Sequence, residues 1–492
     1  MAGIGFRLQN LFKEDYFSSR IKAYGYAGLV TAGPWLTVVV SIALLQWLLG
    51  RFTFITFAER QLFLLTVSYS FIFSLILTGG LQLVVTRYIA DLLYEKQSND
   101  VFSTFLGVTK IVCLLAAVCA FIFLSFSSLP FLYKLVAFCL FISITLIWIL
   151  MIFLTAAKYY QSIAYAFLGG SLVSVALALW FVRDGLPLSI GEHTQAFGLL
   201  SGFSIGMMLT LFALFYALLL TFPARDMKKQ FAFLAYFDRY PSLFWTGLLY
   251  NLGIWVCNWI IWFGEGAGED GVFRFHTAYD SAVFWAYITI VPTLTIFVVF
   301  IETRFYERYR IFFSYVNNGG TLHQIKQAKA SMLQVLRYEM ERLLRVQGLF
   351  TLFIILVAGY AKPILHVSEE FITLFRFAAI GAFANGILLI LLLLLLYFED
   401  RKGAWRSAAF FFACNATLSL MMLPYGYDAY GVSFAFGSTL AFLYAGLRLV
   451  QYVSRIDYHA FCSHTHAERN RDLFTRLGNK LDTIQQKRGS RM

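Results

Sequence analysis

The chain has 492 residues, of which 60% are hydrophobic and 13% charged, with a net charge of +12. So few charges cannot cover a water-facing surface, which excludes a soluble enzyme or cytosolic binding module and makes lipid the main solvent. The basic excess calls for no nucleic acid, since basic loops lying against an anionic leaflet account for it.

The first 23 residues are polar and charged, carry no cleavable signal core, and read as a cytoplasmic interfacial segment. Twelve apolar stretches follow, near 24-50, 62-86, 103-127, 130-156, 160-182, 196-221, 241-263, 279-301, 347-366, 371-398, 404-424 and 429-452. Unpaired backbone groups are costly in hydrocarbon and the two-residue alternation of a barrel strand is missing, so the spans must be helices. The expected fold class is an all-α integral membrane protein with about 12 transmembrane helices.

With the N-terminus in the cytoplasm, 30 Lys and Arg fall on inner segments and 6 in outer loops: Arg51, Arg60, Lys134, Arg183, Arg274 and Lys362. Lys110, Arg376 and Arg448 fall within spans. This division predicts a multi-pass membrane protein with both termini cytoplasmic. The six cysteines, Cys113, Cys119, Cys139, Cys257, Cys414 and Cys462, lie in spans or the tail, where no external disulfide is expected.

An internal repeat organises the spans. Ala27-Gly28-Leu29-Val30 resembles Thr246-Gly247-Leu248-Leu249 at an offset of 219, and Val85-Thr86-Arg87-Tyr88 resembles Glu302-Thr303-Arg304-Phe305 at an offset of 217. Such short matches also arise wherever a helix end meets the cytoplasmic leaflet. Read as a duplication, they divide the chain into an N-terminal segment 1-23, a six-helix bundle 24-222, a basic cytoplasmic linker 223-240, a second six-helix bundle 241-452 and a cytoplasmic tail 453-492. Six helices per half would give parallel repeats related by pseudo-twofold symmetry around a central cavity.

Several segments carry candidate contacts. In the second span, Ser70, Ser74, Thr78, Gln82 and Thr86 form a polar stripe drifting about 40° per step, which either lines a wet path or bonds neighbouring helices. In the seventh, Asn251, Trp255, Asn258, Trp259 and Trp262 share about 100° of one face. Indoles stack on the C–H faces of pyranose rings and amides bond hydroxyls, so this face could contact a glycan. It is equally readable as an interfacial aromatic belt with amides bonding other helices. Arg376 lies deep in the tenth span, where a cation costs roughly 2.5 kcal/mol or more unless it faces protein or water. It is a gate or substrate contact, or it snorkels outward. Lys110 is a weaker case. Asp280, Glu302 and Arg304 end the eighth span, where solvated roles are expected, although Arg87 and Arg304 could be paired cytoplasmic entrance residues. Pro34 and Pro292 interrupt the first and eighth spans, suiting either gating or a static kink.

The external loop 264-279 is acidic, with Glu265, Glu269, Asp270, Arg274 and His276, and reads as solvated surface. The segment 321-347 reads as a basic amphipathic helix that lies on lipid or docks a partner. His459, Cys462, His464 and His466 match no structural zinc spacing, and neither metal nor cofactor is expected.

The opening Ala2-Gly3-Ile4-Gly5-Phe6, the polar helix up to Ile21-Lys22-Ala23-Tyr24, then Tyr26-Ala27-Gly28 and Gly33-Pro34-Trp35, resemble the Pel exopolysaccharide transporter subunits. That family belongs to the polysaccharide branch of the multidrug/oligosaccharidyl-lipid/polysaccharide (MOP) exporter superfamily. The resemblance implies an inner-membrane conduit passing a nascent hexosamine-rich exopolysaccharide to the periplasm for biofilm matrix. It also implies a separate cytosolic glycosyltransferase and small inner-membrane partner proteins.

No GxxxxGK[ST] phosphate loop occurs, and no soluble segment could hold a nucleotide-sugar transferase, so the chain reads as a transporter and not an enzyme. A flippase for lipid-linked oligosaccharides is the alternative. An integral membrane transferase would need a catalytic group such as Asp280 or His366. A scaffold anchoring cytosolic partners would depend on 321-347 and not on cavity residues.

Overall fold

The computed structural model describes residues 25–28, 32–51, 55–157, 159–183, 191, 193–222, 229–365, 367–461 and 473–489. The fold is all-α and membrane-embedded. Eleven helical segments among the described residues are long and apolar enough to cross a bilayer, and the first span adds a shorter helix, α1 (Gly33–Leu49). Pro34, with no N–H, lies in its first turn, where no intrahelical donor is called for. A separate turn of helix precedes it at 25–28.

Helices α2 (Phe57–Tyr94), α3 (Asn99–Ser125), α4 (Phe131–Ala156), α5 (Tyr160–Arg183) and α6 (Thr194–Thr221) follow the predicted spans. The linker holds a short 3-10 turn, Ala232–Leu234, and α7 (Ala235–Arg239), before α8 (Pro241–Ile261) forms the seventh span. The acidic outer loop is not featureless. Strands β1 (Gly268–Asp270) and β2 (Phe273–Phe275) pair into a hairpin turned by Gly271 at φ 61°.

The eighth span is broken. It runs as α9 (Thr277–Ile288) and α10 (Val291–Phe300), and a π-helical turn, Ile301–Phe305, joins it to α11 (Tyr306–Asn317). Beyond this, 321-347 and the ninth span are one continuous helix, α12 (Leu322–Leu365), of 44 residues. At 1.5 Å per residue it is about 66 Å long, twice the hydrocarbon thickness, so its amphipathic half extends out of the membrane-crossing half. Ile325, Met332, Leu336 and Leu343 of this helix are buried, and Lys329 pairs with Asp457. Helices α13 (Glu369–Tyr397), α14 (Arg401–Met422), α15 (Tyr427–Ser454), α16 (Ile456–Phe461) and α17 (Leu473–Gly489) complete the chain.

The chain folds as two compact units. One takes the described residues of 33–251, 269–274 and 473–489, the other those of 25–32, 252–268 and 275–461. The division therefore falls inside the first and seventh spans.

In the unit containing α2 to α6, α5 and α6 meet through small residues. A Cβ on Gly202 would stand 2.3 Å from the backbone of Ala178, and one on Gly206 2.0 Å from Ser174 Oγ. Such close approach is how membrane helices gain packing where water supplies no driving force. The tail helix α17 returns to this unit and docks on the linker. Asp482 Oδ1 accepts the backbone N–H groups of Gln230 and Phe231 at 2.9 and 3.1 Å, and Asp238 accepts from Thr475. In the other unit, Val256, Cys257, Tyr279, Val283, Leu374, Ala378, Tyr430 and Phe434 make a core that joins α8, α9, α13 and α15.

Candidate functional site

Three N–H donors converge on Asp280 in the first turn of α9. Asn258 Nδ2 donates to Oδ1 at 2.7 Å, Trp262 Nε1 lies 3.0 Å from both carboxylate oxygens, and the His276 backbone N–H donates to Oδ2 at 2.9 Å. A carboxylate at a helix N-terminus is favoured by the unpaired N–H groups there. The expected solvated role of Asp280 is thus corrected: it ties the end of α8 to the start of α9.

His276, 1% exposed, completes the turn. Its Nδ1 accepts the Tyr279 backbone N–H and caps α9, so the ring proton sits on Nε2 and is donated to the Glu265 carbonyl at 3.0 Å. The Tyr430 hydroxyl accepts the Glu265 N–H at 2.6 Å. Gly266, at φ 77°, leaves room for Tyr427, whose hydroxyl would lie 1.5 Å from a Cβ there.

This network divides the predicted seventh-span face. Asn258 and Trp262 are buried and spend their donors on Asp280; for Asn258 this is the interhelical role that was its alternative, whereas for Trp262 the alternative was an interfacial belt. Asn251 bonds the Gly247 carbonyl of its own helix at 2.8 Å and fills the notch at Gly79, where a Cβ would be 2.4 Å from its Nδ2. Trp255 and Trp259 are half-buried, and they are the members of the face whose rings remain partly accessible.

The PelG family profile, described as "Putative exopolysaccharide Exporter (EPS-E)", matches residues 1–461. The chain belongs to the PelG family. No curated protein matches it. Solved structures show the fold that this PelG-family chain shares. An outward-facing multidrug resistance MATE family transporter of the MOP superfamily superposes with a TM-score of 0.59 at 14% identity, over 88% of this chain and 96% of its own. A MOP superfamily transporter from Pyrococcus furiosus gives the same values. The lipid II flippase MurJ, in an inward closed conformation, gives a TM-score of 0.56 at 12% identity over 93% and 97%.

In this PelG-family chain the second-span stripe also divides. Ser70, Ser74 and Thr78 are buried and bond carbonyls of their own helix, and Ser74 accepts from Trp148 Nε1 at 3.0 Å. Gln82 and Thr86, further along the helix, are exposed on their unit. Arg376 is exposed as well, and its guanidinium crosses Gly359 of α12, where a Cβ would be 2.6 Å from Nη2. Lys110 donates to Gln230 of the linker at 2.7 Å.

The two predicted entrance arginines both have carboxylate partners. Arg87 faces Asp91 at 3.5 Å and stacks on Tyr240; Arg304 pairs with Glu339 of α12, which is 3% exposed and also faces Arg342 at 3.6 Å. The side chains of Glu302 and Thr303 lie outside the described residues, as do His366, Cys462, His464 and His466. His459 stacks on Tyr452 at 4.0 Å, and no cluster of three His, Cys, Asp or Glu suited to a metal occurs among the described residues.

The Asp280 hub has no signature in the sequence beyond an acidic residue just after a glycine-rich loop. Nor did it reveal the tail helix docking on the linker, because that contact joins residues about 250 apart.

Proposed function

We propose that this chain conducts a nascent, hexosamine-rich exopolysaccharide from the cytoplasm to the periplasm across the bacterial inner membrane, both termini being cytoplasmic. The observation carrying this reading is the exopolysaccharide-exporter family match over residues 1–461 on a chain with, among the described residues, eleven helical segments long and apolar enough to cross a membrane. Polymer would come from a separate cytosolic glycosyltransferase, with small inner-membrane proteins completing the export system. The 30 to 6 bias of Lys and Arg supports the orientation.

Trp255 and Trp259 are the proposed sugar-stacking residues, because aromatic faces bind pyranose rings without a deep well and let a chain slide. Gln82, Arg376 and the entrance pair Arg87 and Arg304 are the proposed polar contacts. An exposed amide or guanidinium at membrane depth is too costly to face lipid. The conduit reading assigns no catalytic residue. A second reading, flipping a lipid-linked oligosaccharide, draws on the fold shared with the lipid II flippase.

Inverted membrane vesicles holding this protein, the glycosyltransferase and the membrane partners, supplied with labelled nucleotide-hexosamine, test both. Glycosidase-protected polymer that disappears when this protein alone is omitted, while synthesis persists, is the expected result. Protection only of short lipid-extractable product would favour the flippase. Loss of synthesis itself would overturn the conduit in favour of a scaffold or enzyme.

A further inference from the structure

The break in the eighth span leaves specific hydrogen-bonding groups open. Pro292 has no N–H, so the Ile288 carbonyl, four residues earlier, loses the donor that a continuous helix would return to it. The helix stops at Ile288 and resumes at Val291. The next carbonyl, that of Thr289, is met from another helix: Gln347 Nε2 of α12 donates to it at 2.9 Å and lies 3.3 Å from Thr351 Oγ1.

That donation fixes which way the amide points. Oε1 of Gln347 then has no protein partner, although the residue is 0% exposed. Oγ1 of Thr293, one turn after Thr289 and also 0% exposed, has none either. Buried polar atoms in native proteins are nearly always hydrogen-bonded, to protein or to ordered water.

These groups differ in what they require. Gln347 Oε1 and the Ile288 carbonyl can only accept, whereas the Thr293 hydroxyl has a hydrogen to give. A metal cation accepts no hydrogen bond and so could not take the hydrogen of the Thr293 hydroxyl. Water donates twice and accepts, and buried waters typically make about three such bonds. We propose that the opened turn between α9 and α10 is a binding site for one buried water molecule, held by Gln347 Oε1, Thr293 Oγ1 and the Ile288 carbonyl.

The site has a mechanical consequence. The ten residues of α10 lie between this break and the π-helical turn Ile301–Phe305, and α12 holds both ends, through Gln347 at the break and Glu339 on Arg304 at the turn. A water-filled turn can change its angle by reorienting the water, without breaking a bond between protein groups.

The test is a density map of the full-length protein in lipid nanodiscs, at a resolution showing ordered solvent, collected in sodium chloride and in N-methyl-D-glucamine chloride. The expected result is a peak within hydrogen-bond reach of all three oxygens in both salts, lost in Gln347→Leu. Thr293→Val, which leaves the amide in place, serves if that variant does not fold, and should displace or remove the peak. No peak where other buried solvent is resolved overturns the proposal, as does a direct bond between Gln347 and Thr293. A peak present only in sodium marks a cation, and a peak unmoved by the substitutions shows that these residues do not hold it; either overturns the assignment.

Discussion

Gly247 sits directly against the backbone of Gly79: a Cβ on Gly247 would lie 2.2 Å from the Gly79 carbonyl oxygen. Gly28, its counterpart 219 residues earlier, faces Thr295, whose hydroxyl would be 3.4 Å from a Cβ on Gly28. Thr295 in turn lies 217 residues after Thr78, next to Gly79. Within one unit the seventh span packs on the second, and within the other the start of the first span packs on the eighth. The two glycines that the sequence repeat pairs thus each face a neighbouring span, at positions one residue apart in the repeat register.

Gly247→Val forces a branched side chain into a carbonyl that cannot yield without moving α2. Overpacking of this kind costs about 1–3 kcal/mol or more. The variant should give a lower unfolding midpoint in detergent and less folded protein, while Gly169→Val, with nothing within 4 Å of a Cβ, should match the parent. Equal midpoints for the two variants would contradict the close approach.

Asp280→Ala removes the acceptor for Asn258, Trp262 and His276 together. Each buried donor left unmet costs about 1–3 kcal/mol, so a marked fall in thermal midpoint is expected. Asp280→Asn keeps one acceptor oxygen but turns an amino group toward donors, and should be intermediate. Thermal unfolding followed by Trp fluorescence checks the order; an unchanged Asp280→Ala protein would show that the hub carries no load.

The Arg304 and Glu339 pair predicts an asymmetry. Glu339 is the buried partner, whereas the Arg304 side chain is 60% exposed. Arg304→Ala leaves a buried carboxylate with only Arg342 nearby, while Glu339→Gln leaves an arginine that can turn to water. The first should be the more destabilising in a denaturation series, since an uncompensated buried charge is the larger penalty. The reverse order would contradict the assigned burial.

Docking of the tail helix should depend on pH. Burial raises the carboxyl of Asp482 above the usual carboxylate range, a shift that the bonds from Phe231 and Gln230 partly offset. A raised group binds its proton more tightly when docked, so its contribution is full below the undocked value and is lost as pH rises through the docked one. Protection factors at the Gln230 and Phe231 amides, corrected for intrinsic exchange, should be larger near pH 4 than at pH 7. Asp482→Asn should remove that dependence, and Asp482→Ala should lower protection about tenfold at both.

Much of this protein was determined by the sequence alone. Twelve apolar runs set the number and type of the crossing segments, because backbone groups in hydrocarbon leave helices as the only choice for such runs. The family could be read from the opening motif, and Pro292 marked an interruption of the eighth span, since a missing N–H acts locally. Which polar residues face one another was not legible. Asn258 and Trp262 looked like sugar contacts until Asp280, 22 and 18 residues away, was seen to take their donors. Asn251 looked the same until Gly79 was found beneath it, and α12 read as two segments because charge ends an apolar run without ending a helix. Periodicity fixes the direction of a side chain on its own helix. Its partner depends on how helices from distant parts of the chain pack, and only the tertiary structure decides that.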